Sequence, residues 1–297
     1  MKRILSCAVL LLCGIPFFAQ PQVGIVRRPD KTIDFYLDAA GAPGTRTVLL
    51  DIASLTNCDS PAGEYPIVVS NDGAFLTLRP HNPRIEIGCD YTYRVVDAWL
   101  DAPVERSFVY RLPCTAARPV KVAVRRDDSQ AGVSKDYCAC YFACGEGDTL
   151  YAARRGVVTQ VKQGGNTPAN RDRECALRDT YLYVEHADGS IARYGMPESG
   201  RLAVGVGDVV FPDTPLAFAG AGSTSFSVAL YRVALNKGKN AELYYVLSEY
   251  FDPLFATDRG NTRLRSGESY RPVVTQQLVR REMTEKEAKR HGRGRRR

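Results

Sequence analysis

Histidine is nearly missing from this chain, which holds only His81, His186 and His291 among 297 residues. Because imidazole is the side chain that most often moves protons near neutral pH and ligates transition metals, a site built from four or more histidines is excluded. The rest of the composition is ordinary, with 44% hydrophobic and 25% charged residues. That balance excludes collagen-like, low-complexity and largely disordered proteins.

Long hydrophobic runs are also missing, since no segment reaches the roughly 20 apolar residues that a membrane helix needs. Two cationic residues precede an apolar stretch over 4–18, and this pattern predicts a signal peptide over residues 1–19. A lipid anchor at Cys7 or Cys13 is disfavoured, because Cys13 follows Leu12 and not a small residue, and almost no apolar run precedes Cys7. We therefore expect a periplasmic or secreted protein without a transmembrane helix.

Positive charge is confined to the two ends of the chain. Of the net charge of +7, Lys2 and Arg3 contribute +2 and six residues of the last nine contribute +6, which leaves −1 for the rest. A near-neutral body excludes a broad nucleic-acid-binding face. The basic tail could attract an anionic polymer or serve only as a solubilising end. Its six cations are Lys289, Arg290, Arg293, Arg295, Arg296 and Arg297.

Seven cysteines follow the predicted signal peptide. In an oxidising compartment cysteines form disulfides more often than metal sites, and an odd number leaves at least one thiol without an internal partner. Cys58–Cys89 is the preferred bridge, because both residues flank strand-like runs in the first half of the chain. Disulfides involving Cys144 or Cys175 are also expected. A thiolate metal site over 138–144 is disfavoured, since the spacing lacks Cys-x-x-Cys ends.

Short strand-like runs between turn signals predict an all-β protein with two domains. Residues 20–118 are expected to form a small β-sandwich. Residues 119–256 predict a second domain, an antiparallel β-sheet or barrel-like fold with a hairpin turn at 188–189. The polar extension 257–297 is expected to hold a short helix that begins near Thr284, where the spelling is that of a capping box, and to end in the basic tail.

Four segments of the second domain form a series. They read EGDTLYAARRGVV over 146–158, YVEHADGSIARY over 183–194, VGVGDVV over 204–210 and PLAFAGAG over 215–222. In order and with compatible spacing, they resemble motifs of the lysostaphin/LytM-type zinc endopeptidases, which cut peptidoglycan cross-links. The resemblance covers residues 130–250 and implies a compact β-sheet or barrel-like domain with a long groove.

The resemblance implies a zinc centre for which this sequence lacks the ligands. The family binds zinc through the His and Asp of an HxxxD motif and the second His of an HxH motif, and it uses two more histidines, the first of HxH and that of YxH. In this sequence the His of HxxxD falls on Tyr137 and its Asp on Tyr141; in relatives with a longer segment before the next motif, the His falls on Lys135. The YxH motif falls on residues 194–196, and the HxH motif falls on residues 228–230. None of these side chains is the imidazole, carboxylate or thiolate that zinc requires. We therefore expect no zinc, no other cofactor and no catalytic residue.

The replaced positions define a candidate groove. Two interpretations remain open: its floor has filled with core side chains, or it is an aromatic groove that holds a glycan–peptide strand without cutting it. The six candidate residues are Tyr137, Tyr141, Tyr194, Met196, Val228 and Leu230.

For function we expect a pseudo-enzyme of the cell envelope that binds peptidoglycan or regulates a cell-wall hydrolase. One alternative is an active peptidoglycan metalloendopeptidase that uses a non-standard site. The other is a structural envelope protein whose groove binds nothing.

Overall fold

The structure is a computed structural model, and it describes residues 21–39, 41–70, 73–115, 118–127, 134–162, 179–197, 200–238 and 241–294. The predicted signal peptide and Cys175 lie outside the described residues. The described chain is mostly β-strand with two short helices near the C-terminus, which confirms the all-β fold class. Among the described residues, no helix has the length and apolar character needed to cross a membrane.

Six strands build the first half of the chain. They are β1 (Gln22–Arg27), β2 (Ile33–Asp38), β3 (Arg46–Thr56), β4 (Gly63–Val69), β5 (Gly73–Leu78) and β6 (Gly88–Val96). They pair into two antiparallel three-stranded sheets, ordered β1-β2-β5 and β4-β3-β6. Alternate residues of β3, Val48, Leu50 and Ile52, point into a core that they share with Phe35 of β2. Two sheets around one core are the expected small β-sandwich.

One ten-stranded sheet dominates the second half. The strands of this half are β7 (Val109–Arg111), β8 (Val120–Asp127), β9 (Ser134–Lys135), β10 (Tyr137–Cys144), β11 (Thr149–Tyr151), β12 (Gly156–Lys162), β13 (Asp179–Glu185), β14 (Ile191–Pro197), β15 (Arg201–Leu202), β16 (Val209–Val210), β17 (Pro215–Phe218), β18 (Gly222–Gly238), β19 (Ala241–Tyr250), β20 (Leu254–Thr257), β21 (Gly260–Thr262) and β22 (Ser269–Tyr270). The order of the ten-stranded sheet is β16-β12-β13-β14-β18-β10-β8-β22, with β19 beside β18 and β9 beside β19. All its pairs are antiparallel except β19 with β9.

The second core lies against one face of this sheet. Two small sheets, β11-β17-β15 and β21-β20-β7, contribute further side chains to it. Phe226 of β18 contacts Tyr110 of β7 and Phe255 of β20, with ring centroids 5.8 and 5.6 Å apart. The packing therefore ties residues that precede 119 in the sequence to the same core as the main sheet.

The hairpin of β13 and β14 forms as the sequence predicts, paired along its whole length. Its turn requires glycine, because Gly189 has a φ of +80°. A Cβ at this position would lie 2.5 Å from the Ala102 Cβ and 3.0 Å from the Trp99 ring. The turn thus packs directly on the segment that leads out of the β-sandwich, so the two halves of the chain are in contact here.

The C-terminal segment carries the two helices, α1 (Gln276–Arg280) and α2 (Glu285–Gly294). The predicted capping box forms: the Thr284 backbone N–H donates to Glu287 at 2.7 Å, and the Glu287 N–H donates to the Thr284 hydroxyl at 3.3 Å. Two arginines of the main domain hold this segment, since Arg155 pairs with Glu287 and Arg154 with Glu282, both at 2.7 Å.

Candidate binding surface

The six groove candidates do not line one surface. In a strand, successive side chains point to opposite faces, and residues paired between antiparallel strands share a face. Tyr141 pairs with Ser225, whereas Tyr194 pairs with Phe226, one position further along β18. The two tyrosines therefore lie on opposite faces of the ten-stranded sheet.

Four of the six candidates, Tyr194, Met196, Val228 and Leu230, are buried. Tyr194 is 1% exposed, its hydroxyl accepts a hydrogen bond from the Ala153 N–H at 2.8 Å, and its ring packs edge-on against Phe226. The prediction that these four residues line a groove is wrong, because the alternation of side chains along β14 and β18 turns them to the core face. At these positions the floor is filled by core side chains, which was the first of the two interpretations.

Tyr137 and Tyr141 are half-buried on the opposite face, where further tyrosines surround them. We name this face the tyrosine surface; it comprises Tyr137, Tyr141, Tyr181, Tyr183, Tyr231 and Tyr250. Their common face follows from the pairing of Gly195 with Tyr181 and Ser225, of Arg193 with Tyr183 and of Ala229 with Tyr250. At its centre the Tyr137 and Tyr250 rings meet edge-on, with centroids 4.8 Å apart.

Arg193 is the cation of the tyrosine surface. Its guanidinium lies over the Tyr181 ring, 5.0 Å from the centroid, and its Nη2 donates to the Tyr137 hydroxyl at 3.4 Å. Burial acts to lower the pKa of Arg193, but the electrostatic influence of Tyr250 and Tyr137 raises it overall. Arg193 therefore stays charged.

Burial raises the pKa of three tyrosines of this surface. It is the main cause that raises the pKa of Tyr141 and Tyr250, and it raises the pKa of Tyr231 to about 12. The surface thus combines one positive charge with phenol rings, of which Tyr183 and Tyr231 pack against the apolar cluster of Val96, Ala98, Leu100 and Ile191.

Two buried polar atoms on this surface have no hydrogen-bond partner within the described part of the chain, the Arg193 Nε and the Ser227 Oγ. They belong to residues directly paired across β14 and β18. An unsatisfied buried donor costs about 1–3 kcal/mol. Arg193 and Ser227 are therefore the place on this face where polar groups are left unsatisfied.

Glycine at position 195 allows this arrangement. A Cβ there would lie 2.4 Å from the Ser225 hydroxyl and 2.9 Å from the Tyr181 ring. The ring can therefore lie flat over β14 only because position 195 has no side chain.

The three positions that correspond to zinc ligands in the LytM resemblance lie on opposite faces of the sheet. Leu230 lies on the core face, whereas Tyr137 and Tyr141 lie on the tyrosine surface. A triplet that begins one residue earlier, at Ser227, places its first and third residues, Ser227 and Ala229, on the face of Tyr141. Neither register supplies an imidazole or a carboxylate.

The three histidines lie apart from the tyrosine surface. His186 is 2% exposed beside Tyr110 of the core, and its Nδ1 donates to the Arg155 carbonyl at 2.8 Å. Burial, followed by the charge of Arg154, lowers the pKa of His186 to about 3, so it is neutral. His81 contacts Asp59 in an exposed loop, and His291 of α2 contacts Asp213. No cluster of three or more His, Cys, Asp or Glu that could hold a metal occurs within the described ranges.

The six cysteines within the described ranges are free thiols. Cys138 and Cys140 are buried on the core face, as their alternation with Tyr137 and Tyr141 predicts. Cys58 and Cys89 pack against the same core of the β-sandwich and influence each other electrostatically, but they are not bonded. The disulfides of Cys58, Cys89, Cys144 and Cys175 stay predictions, and Cys175 lies outside the described residues.

Sequence reasoning identified two residues of the tyrosine surface and missed the others. The alternation of side chains along the strand at 181–183 places Tyr181 and Tyr183 on one face, so these two could have been found from the sequence. Tyr250 becomes a neighbour of Tyr137 only through long-range strand pairing, which no local pattern reveals.

No protein-family model matches the sequence, and no curated protein matches it. The similarity of its four motifs to the LytM-type endopeptidases therefore stays a prediction.

Proposed function

We propose that this chain is a non-catalytic protein of the cell envelope that binds peptidoglycan through its tyrosine surface. A single observation carries the proposal. The sheet face that holds the two HxxxD positions, Tyr137 and Tyr141, bears phenol rings, the half-buried Arg193 and two polar atoms without a partner in the described part of the chain. Aromatic rings with polar edges are common in binding sites for mixed polar and apolar ligands, and a glycan–peptide strand is such a ligand.

The predicted signal peptide supports a periplasmic or secreted location, where peptidoglycan is accessible. Regulation of a separate cell-wall hydrolase is compatible with the same surface, because a protein that holds the polymer without cutting it can present it to an enzyme. The structural alternative is a face that binds nothing.

Sedimentation with insoluble peptidoglycan tests the proposal. We expect Tyr137→Ala and Tyr141→Ala each to weaken binding about tenfold, which corresponds to the loss of about 1.4 kcal/mol from one aromatic contact. Tyr93→Ala is the matched control, because Tyr93 is a 41% exposed tyrosine of the β-sandwich. Tyr141→Phe separates the loss of the hydroxyl from the loss of the ring. Equal binding by wild type and both alanine variants would contradict the proposal.

Metal content tests the enzymatic alternative. The purified protein is analysed for zinc and assayed for clearing of a peptidoglycan gel with and without a chelator. We expect neither bound zinc nor clearing, because the tyrosine surface offers zinc no imidazole, carboxylate or thiolate. Stoichiometric zinc together with chelator-sensitive clearing would contradict the proposal and support an active peptidase.

The basic tail is proposed as a secondary, salt-sensitive contact with an anionic polymer. His291 Nε2 lies 2.7 Å from Asp213, so α2 is held to the domain up to this residue. Removal of residues 292–297 should weaken peptidoglycan binding at low salt and leave it unchanged at about 0.5 M salt, where charges are screened. A loss of equal size at both salt concentrations would show that the tail contributes other than by charge.

A further inference from the structure

A second surface of the main domain is lined by arginines. Two cavities, of about 440 and 640 Å³, lie next to each other and share Arg126 and Arg263 as lining residues. Arg106 lines the first, and Arg259 and Arg265 line the second. We name the combined depression, defined by these five residues, the arginine cleft.

The arginine cleft has an excess of positive charge. The acids that line its two cavities are Asp136, Asp252 and Glu268, against five arginines. Arg126 pairs with Asp252 at 2.7 Å and Arg259 pairs with Glu268 at 2.6 Å. Each guanidinium has five donors, so one such pair leaves most of its donors available.

Two of the arginines are only weakly engaged. Arg263 reaches Asp252 through Nε alone, 3.3 Å from the backbone carbonyl and 4.0 Å from the carboxylate, and its side chain is 60% exposed. The exposed Arg265 side chain makes no hydrogen bond or ion pair within the part of the chain that the structure covers. These two guanidiniums, close in sequence beyond the β20–β21 hairpin, are free to bind an anion.

The shape of the cleft indicates a chain-like ligand. A pocket for one small molecule has a volume of roughly 300–1,000 Å³, and each cavity alone falls within that range. Because the cavities share two residues, a ligand that fills both is longer than one small molecule. Tyr137 and Tyr250 also line the first cavity, and their rings provide apolar walls suited to a peptide.

We propose that the arginine cleft binds an acidic peptide segment, with the Arg263 and Arg265 guanidiniums pairing with its carboxylates. Guanidinium and carboxylate match in a bidentate geometry, and this cleft already shows the preference, because its arginines take Asp252 and Glu268 as partners. The cleft adjoins the tyrosine surface at Tyr137 and Tyr250, but it goes beyond the proposed peptidoglycan contact, since its five arginines are not part of that surface.

Fluorescence anisotropy with a labelled twelve-residue poly-L-glutamate tests the proposal, with poly-L-glutamine of the same length as the uncharged probe. We expect the glutamate peptide alone to bind, and Arg263→Gln/Arg265→Gln to weaken that binding about tenfold, as for the loss of two charge-assisted contacts. The matched control is Arg79→Gln/Arg84→Gln, which removes the same charge from exposed positions of the β-sandwich. It should leave binding unchanged.

Three results would overturn this proposal: binding of polyphosphate without binding of poly-L-glutamate, an equal loss in both double variants, or no binding of the glutamate peptide by wild type. Tyr141→Ala keeps the outcome separate from that of the proposed function, because Tyr141 lines neither cavity, whereas Tyr137 lines the first. A wild-type protein that binds the peptide but not insoluble peptidoglycan refutes only the tyrosine surface, and the reverse result refutes only the arginine cleft.

Discussion

Arg154 donates from Nε and Nη2 to the carboxylate of Glu282, so a buried cation of the main domain is neutralised by a residue 128 positions further along the chain. The Arg154 side chain is 3% exposed, and it also pairs with Asp188 at 2.8 Å and lies 3.8 Å from the centroid of the Phe108 ring. The segment between α1 and α2 is therefore part of the folded domain.

Glu282→Gln should lower the free energy of unfolding by about 2 kcal/mol, because it leaves a buried guanidinium with one charged partner fewer. Urea unfolding followed by circular dichroism measures the change. Glu285→Gln, an exposed substitution in the first turn of α2, is the control and should change stability by less than about 0.5 kcal/mol. Equal stability of the Glu282 variant and wild type would show that Asp188 alone satisfies Arg154.

Because His186 is buried in its neutral form, we expect the protein to lose stability as the pH falls. The pKa of His186 is about 3 in the folded protein and 6.5 in the unfolded chain, so the unfolded chain binds one more proton between these values. The contribution of neutral His186 to the free energy of unfolding is fully present above pH 6.5 and falls by about 1.4 kcal/mol for each pH unit below it. Urea unfolding at pH 7, 6, 5 and 4 should show a shallower pH dependence for His186→Gln than for wild type. His81→Gln is the control, and parallel curves for all three proteins would contradict the assignment.

Gly189→Ala should destabilise the protein by about 2 kcal/mol or more, since it combines a positive φ with a Cβ that overlaps Ala102. Thermal unfolding by calorimetry provides the measurement. Gly205→Ala is the matched control: its backbone does not require glycine and nothing lies within 4 Å of the added methyl group. A small effect at Gly189 would mean that the turn moves away from Ala102 without cost.

Ser227→Ala should stabilise the ligand-free protein by up to about 1 kcal/mol, because it removes a buried hydroxyl without a partner. Ser190→Ala should do the opposite, since the Ser190 hydroxyl donates to Asp188 at 2.7 Å. Urea unfolding of both variants tests the contrast in sign. Destabilisation by both substitutions would show that the Ser227 hydroxyl has a partner in solution.

The all-β class and the opposite orientation of Tyr137 and Cys138 follow from local patterns, because strand periodicity is written in consecutive residues. The face of Val228 does not follow in the same way. The run 225–229 carries small or apolar residues at every position, so either parity is compatible with burial, and only its pairing with Tyr141 and Tyr194 decides which side chains point to the core. A shift of one residue in the strand pairing would move Val228 from the core face to the opposite face of the sheet.

Arg193 shows the second limit of reading the sequence. Arg193 lies in the hairpin that the sequence predicts, beside Tyr181 of the partner strand, but its other neighbour, Tyr137, comes from β10, 56 residues earlier in the chain. An isolated arginine in a strand usually indicates a solvated face. Here the surrounding rings leave it half-buried, and such an environment is a property of the assembled sheet.

The contact of Trp99 with the turn at Gly189 gives the protein an internal reporter. The chain has one tryptophan, so all its indole fluorescence originates where the β-sandwich meets the hairpin of the main sheet. A shift in emission on titration with denaturant would therefore mark the parting of the two halves, and circular dichroism would follow the melting of the strands within them. If the two signals change at different denaturant concentrations, the halves separate before either has lost its own structure.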